Sequence, residues 1–405
     1  MGLVKQLVSN LPRKEVGQYF MKNSKSLLIF ILAVGVFGII NTEMGVIGIL
    51  PDLADHFDVS VSTAGLMVSL FALAIAIAGP TLPLVFSRMN RKKVMLLVLV
   101  IFIIGNIISV FTTNFTVALV ARVIPAFFHP VYVSIALSVA AASVSEKEAP
   151  KAISKVFIGV SAGMVLGVPV VSFIANTISL EVAMSFFAVV NIFTLIATLI
   201  FVPSMPVQER LSYGSQLKIL THGITWLSIL AVLFLNAAIF GVYSYLASYL
   251  DVVTNMSANL ISIMLLVYGL ANIAGNIIAG RLLTEYPIRS VTIFPMVLVA
   301  VYLIFFFVAE LTVPTAIIIL VWGILGGIGA NINQYWIMSS APKAPDFANG
   351  LFLTSVNLGT TIGAGIAGVI IAQFGTKYIL FVGVLSLVIG FICIILRNSL
   401  YKTAA

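Results

Sequence analysis

Twelve apolar runs, each long enough to cross a bilayer as a helix, follow one another along a chain of 405 residues. A helix needs roughly 20 predominantly apolar residues to make that crossing. Backbone in lipid must satisfy its own hydrogen bonds, and runs of this length do so as helices rather than barrel strands. Charged residues make up 8% of the sequence, against about 25% in an ordinary soluble domain. Hydrophobic residues make up 61% and the mean hydropathy is +1.19, so a water-soluble globular fold is excluded. The expected spans lie near 27–50, 59–82, 93–112, 115–141, 152–176 and 180–202, then near 223–249, 258–283, 290–309, 313–339, 348–372 and 377–397.

Several other classes fall away on the same reading. The formal charge of +8 sits in short connections, with no basic face beside aromatics, so nucleic acid is not an expected partner. Cys393 is the single cysteine and lies in the last run, which rules out an intrachain disulfide or a CxxC motif. Three histidines without HExxH, and no GxxxxGK[ST] loop, leave no expected metal, cofactor or nucleotide drive. No pair of intramembrane aspartates and no Gly-flanked Ser with a nearby His supports an intramembrane enzyme. The first apolar run is too long for a signal-peptide core and is expected to remain as a span. Gln6 stands where myristoylation of Gly2 would need Ser or Thr.

Orientation follows from the basic residues. A cytoplasmic N-terminus puts every Lys and Arg except Arg122 and Lys377 on that side or at its membrane edge. Asp52, Asp55, Asp58, Glu181, Asp251 and Glu310 then face the opposite side. This positive-inside pattern predicts a multi-pass protein of the cell membrane with both termini cytoplasmic. The longest connection falls mid-chain, and SRMNRKK (87–93) is echoed by GRLLTEYPIR (280–289) at the equivalent place in the second half. The expected organisation is a cytoplasmic segment 1–26, a six-helix bundle 27–202, a cytoplasmic linker 203–222, a second bundle 223–397 and a tail 398–405. Repeats of this kind build transporters whose two bundles rock about a central site.

Four segments resemble the major facilitator superfamily, and within it the twelve-span drug/proton antiporters, above all the sugar, arabinose and nucleoside efflux permeases. The first span carries Asn41-Thr42-Glu43-Met44 and then Gly48-Ile49-Leu50-Pro51. The second-to-third connection, with Arg88, Arg91 and Lys92, resembles the family's basic gating loop. The fourth span has Arg122 and His129, and the fifth spaces Gly159, Gly163 and Gly167 before Pro169 as in the antiporter motif. Departures are Ser87 and Asn90 in the loop, Thr284 and Pro287 in its second copy, and Val170 and Val171 after Pro169. The motif therefore lacks its own acidic partner for Arg88. The resemblance implies an all-α membrane protein, two pseudo-symmetric six-helix bundles, a monomer, and export of a small molecule in exchange for protons. Proton-coupled uptake uses the same architecture and remains the alternative.

Glu43 and Arg122 are the two ionisable residues away from the membrane ends. Such charges cost about 2.5–3.5 kcal/mol each on insertion scales and usually mark ion or substrate paths. Counted along their helices at about 1.5 Å per residue, both lie roughly 10 Å below the outer hydrocarbon edge, so pairing is expected. A carboxylate there can gain or lose a proton as a cation or water faces it, which is the requirement for proton coupling; a static ion pair that fixes packing is the plain alternative. His129 shares the Arg122 face two turns on, and either relays a proton or bonds a carbonyl freed by Pro125 or Pro130. The glycines of the fifth span, with Ala271, Gly275 and Ala279 on the eighth and Gly359, Gly363 and Ala367 on the eleventh, are expected to form sliding seams between the bundles. Candidate substrate ligands are the amides inside apolar spans of the second half, Asn236, Asn272, Asn276, Asn331, Asn333, Gln334 and Asn357, plus Tyr243, Tyr245 and Trp336, with Asn333, Gln334 and Asn357 foremost.

Overall fold

The computed structural model describes residues 13–59, 61–206, 214 and 217–404. The start of the N-terminal segment, Lys5 included, and residues 207–213, 215 and 216 of the 203–222 linker lie outside the described residues. Eleven helical stretches among the described residues are long and apolar enough to span a membrane. In the first half the helices are α1 (Arg13–Gly45), α2 (Leu50–His56), α3 (Val61–Ala64), α4 (Leu66–Ala78), α5 (Leu82–Phe86), α6 (Arg91–Phe111), α7 (Phe115–Ala142), α8 (Ala149–Thr177) and α9 (Leu180–Phe201). The second half has α10 (Gly223–Tyr243), α11 (Leu246–Val252), α12 (Ala258–Glu285), α13 (Pro287–Val308), α14 (Thr312–Met338), α15 (Pro345–Phe374) and α16 (Ile379–Ala404). Asn114, Ser179 and Ser257 cap α7, α9 and α12 by accepting a backbone N–H from the first turn, which marks these starts in the sequence.

The expected second span is not one helix. It is divided among α3, α4 and α5, with the main break at Gly79-Pro80-Thr81. Proline removes a donor and crowds the preceding turn, so the chain cannot run through it as a regular helix. The first span stops at Gly45, five residues short of the expected boundary at residue 50, and continues as a 3-10 turn (Val46–Ile49) into α2. The seventh likewise stops at Tyr243 rather than residue 249, where the Ser244 hydroxyl donates to the Phe240 carbonyl before α11 begins. Each first helix is thus followed by a seven-residue helix. Each of these short helices is followed by a left-handed residue, Asp58 (φ 52°) or Asn255 (φ 54°). Asp and Asn visit this region at lower cost than other side-chain-bearing residues.

Packing repeats in the same way. In the first half α1 packs on α8 and α9, α4 on α7, and α6 on α9; in the second α10 packs on α15 and α16, α12 on α14, and α13 on α16. The two groups meet chiefly where α8 lies along α12 and where α15 crosses α4, α5 and α7. The face carrying connections 87–90, 143–148 and 339–344 is called proximal here, and the opposite face distal.

The glycine faces lie elsewhere than expected. A Cβ at Gly159, Gly163 or Gly167 would meet Ala33, Ile40 or Asn41, all on α1 of the same half. Gly359 and Gly363 face Leu233 and Ala237 of α10, and Gly275 faces Ile324 and Gly327 of α14. These faces hold each half together instead of forming the seam between halves. Close backbone approach within a bundle needs the missing side chain as much as a sliding contact does, and sequence spacing does not say which neighbour fills it. The contacts between halves use other small residues: Gly79 against Gly350, Gly269 against Val165, and Gly280 against Ser154.

Candidate functional site

A cavity with an empty volume of about 1160 Å³ lies between the halves. Helices α1, α7 and α8 wall it on one side and α10, α12, α14 and α15 on the other. Its lining is largely apolar and aromatic, with Phe157, Phe240, Tyr243, Tyr268 and Phe352 prominent. Towards the proximal face the rings of Phe157 and Phe352, one from each half, meet edge to face at 6.0 Å.

Glu43 and His129 both line this cavity. His129 Nε2 stands 3.1 Å from Glu43 Oε2, and both side chains are largely buried. The approach is close without being an aligned hydrogen bond, and neither ring nitrogen bonds a carbonyl freed by Pro125 or Pro130. Arg122 behaves differently from the expected pairing. Its Nη2 donates to the backbone carbonyl of Glu43 at 2.8 Å and its Nε to the carbonyl of Met67 at 3.0 Å. The guanidinium also lies 5.0 Å from the centre of the Phe71 ring. Glu43 lies in the last turn of α1, where carbonyls lack an intrahelical donor, whereas Met67 lies in the first turn of α4 and its carbonyl accepts from Arg122 as an additional donor. Arg122 thus ties α1 to α4 at the backbone, and the Glu43 carboxylate faces the cavity beside the imidazole.

The predicted substrate ligands divide into two sets. Asn236, Tyr243 and Asn357 line the cavity. Asn236 donates to Val356 O at 2.6 Å and to Thr360 Oγ1 at 2.8 Å, while Tyr243 stacks on Tyr268 with centroids 4.6 Å apart. Asn333 and Gln334 do not line it. Gln334 donates to Asn349 Oδ1 at 2.8 Å, and Asn349 donates in turn to Ser138 Oγ at 3.1 Å across the halves. Asn333 is fully buried, with neither amide atom hydrogen-bonded. Both sit on faces of α14 turned into protein, a rotation that hydropathy does not resolve.

The other amides singled out in the sequence, Asn272, Asn276 and Asn331, bond within the protein, and their partners were not legible in the sequence. Ser161 of α8 donates to Asn272 Oδ1 at 2.6 Å and accepts from Asn276 Nδ2 at 2.7 Å, so it joins the cavity wall to the other half. Asn331 Nδ2 extends that chain to Asn276 Oδ1 at 2.7 Å. Arg397 is buried and stacks on Trp336 at 3.7 Å. Asp346, at the start of α15, accepts from Arg91 Nη2 at 3.3 Å, and its carbonyl accepts from Ser134 Oγ at 2.6 Å. The opposite half thus supplies an acid to the gating loop, at Arg91 rather than at Arg88. Lys92 instead donates to Leu199 O at 2.9 Å. Arg88 also has a partner within the fold.

Comparison with known proteins fits this geometry. The family model of the Major Facilitator Superfamily matches residues 32–345 and 253–403. The uncharacterized MFS-type transporter YtbD of Bacillus subtilis is 34% identical over 367 residues, covering 88% of this chain and 91% of its own. The probable sugar efflux transporter of Helicobacter pylori is 26% identical over 358 residues, with 88% and 91% covered. The transporter FucP in its outward conformation superposes with a TM-score of 0.75 at 15% identity, over 92% of this chain and 99% of that one. The chain belongs to the Major Facilitator Superfamily and is a multi-span membrane transporter of small molecules, not an enzyme.

Proposed function

We propose that this transporter exports a small organic solute in exchange for protons, with Glu43 as the proton carrier and His129 as its relay partner. The observation that carries this reading is the 3.1 Å contact of His129 Nε2 with Glu43 Oε2 on the cavity wall. A carboxylate facing both an imidazole and the solute space can exchange its proton according to which of them is present. Substrate and proton then compete for one set of groups, and competition of that kind is what antiport requires. The Arg91–Asp346 and Phe157–Phe352 contacts close the proximal side. The Lys and Arg distribution supports a cytoplasmic position for that face, and on that reading the cavity belongs to the outward-facing half of an alternating-access cycle.

Asn236, Tyr243 and Asn357 are the residues proposed to contact the solute, and the protein is proposed to act as a monomer in the cell membrane. The name of the Helicobacter relative supports efflux over the alternative, proton-coupled uptake. The test is a panel of sugars and amphipathic aromatic solutes added to proteoliposomes with an imposed pH gradient. Antiport predicts that an accepted solute dissipates the gradient by moving protons opposite to itself. Movement of solute and protons in the same direction would establish uptake instead.

A further inference from the structure

We propose that a lateral groove between α12, α13 and α14 binds one anionic phospholipid, with Arg289 holding the headgroup phosphate. The groove has an empty volume of about 730 Å³ and its apolar walls include Leu282, Ile293, Val297 and Ile328. Its proximal end is polar: Tyr286, Arg289 and Ser290 all line it there. Arg289 is exposed, forms no salt bridge among the described residues, and stands in the first turn of α13. Val297 lies ten residues into that helix, about 15 Å from its start and so about one leaflet deep in a hydrocarbon core of roughly 30 Å. The groove therefore has the length of an acyl chain's leaflet and a cation where a phosphate sits. Ile293 and Val297 are each 41% exposed, so protein alone does not cover these walls.

A second lateral groove supplies the contrast. It has about 830 Å³ of empty space between α10, α15 and α16, and Phe234, Ile370, Phe381 and Leu385 line it with no charged residue. Acyl chains fit both grooves, but only the first can distinguish headgroups. Basic pockets between transmembrane helices select anionic lipids by this complementarity. Glu285 ends α12 close by and Arg281 lies one turn before it; both are exposed, and their opposite charges leave Arg289 as the net local cation.

The test is native mass spectrometry of the full chain, purified with equimolar phosphatidylglycerol and phosphatidylcholine. Wild type is expected to retain phosphatidylglycerol about fivefold over phosphatidylcholine, the preference one basic side chain confers near a membrane surface. Arg289→Ala should abolish the preference, Arg289→Lys should keep most of it, and Val297→Trp should remove the bound lipid whatever its headgroup. Arg281→Ala should leave the preference unchanged, and excess inorganic phosphate should not displace the lipid. Equal retention of both lipids by wild type would overturn the proposal. So would a preference that survives Arg289→Ala, one that Arg281→Ala removes equally, or displacement by free phosphate.

Discussion

Arg122 meets Glu43 through the backbone, its Nη2 donating to the Glu43 carbonyl, while the Glu43 carboxylate turns to His129. The arrangement separates two tasks that sequence reading had joined in one ion pair. Arg122 fixes the position of α1 against α4. Under the proposed antiport, Glu43 and His129 would handle protons without the helix contact being made and broken each time.

Glu43→Gln keeps the shape of the side chain and removes its titration. Gradient-driven flux should fall to the background of empty liposomes, while counterflow exchange of the same solute persists. Both should be measured on one purified preparation. Full gradient-driven flux from the variant would remove Glu43 from the proton path.

Arg122→Lys should act on stability rather than coupling. Lysine cannot reproduce a fork that reaches Met67 O and Glu43 O together, and hydrogen bonds to a charged group are worth about 1.5–3 kcal/mol each. The detergent-solubilised variant should melt earlier, yet the molecules that remain folded should couple protons to solute as before. A normal melting temperature combined with lost coupling would assign Arg122 to the proton path instead.

Much of this was open to sequence reading, for physical reasons. Lipid forces long apolar helices, so hydropathy places eleven of the twelve spans, and the twelfth fails because Gly79-Pro80 breaks it. Glu43 and Arg122 stand out because charge is costly at depth, and His129 because it shares the Arg122 helix face. Asp346 did not stand out: it lies by a membrane-end connection, where acids are common, and its partner Arg91 is 255 residues away. Asn333 and Gln334 were mistaken for cavity residues because a polar amide in an apolar run satisfies protein, substrate or nothing without any change in pattern. The glycine faces show the same limit, since spacing identifies a close helix contact without identifying the neighbour.

Those glycine contacts separate folding from cycling. Gly163→Leu places a side chain where a Cβ alone would stand 2.7 Å from Ile40 Cγ2, inside one bundle. Overpacking of this kind costs about 1–3 kcal/mol, so folded yield and melting temperature should drop. Gly350→Leu acts at the seam, where a Cβ would meet the Gly79 carbonyl across the halves. It should leave each bundle folded but hold the proximal side open, seen as raised labelling of a cysteine at Val133 from the proximal side in a Cys393→Ala background. Equal loss of folded protein from both variants would place Gly350 in bundle packing rather than in the seam.

The Arg91–Asp346 pair is the proposed latch of the proximal side. Arg91 and Asp346 are 21% and 8% exposed at the side chain, so water screens their attraction only in part. Asp346 Oδ1 is buried with no hydrogen bond, leaving Arg91 Nη2 as the carboxylate's donor through Oδ2. Asp346→Asn should weaken closure by about 1.5–3 kcal/mol, a tenfold or larger shift towards the proximally open state. Arg91→Ala should do the same, and the double variant should be no worse than either single one, because each removes the same interaction. Distances between spin labels on the proximal ends of α6 and α15 report the population directly. Additive effects of the two substitutions would show that Arg91 and Asp346 act through different partners, and the latch assigned to this pair would be withdrawn.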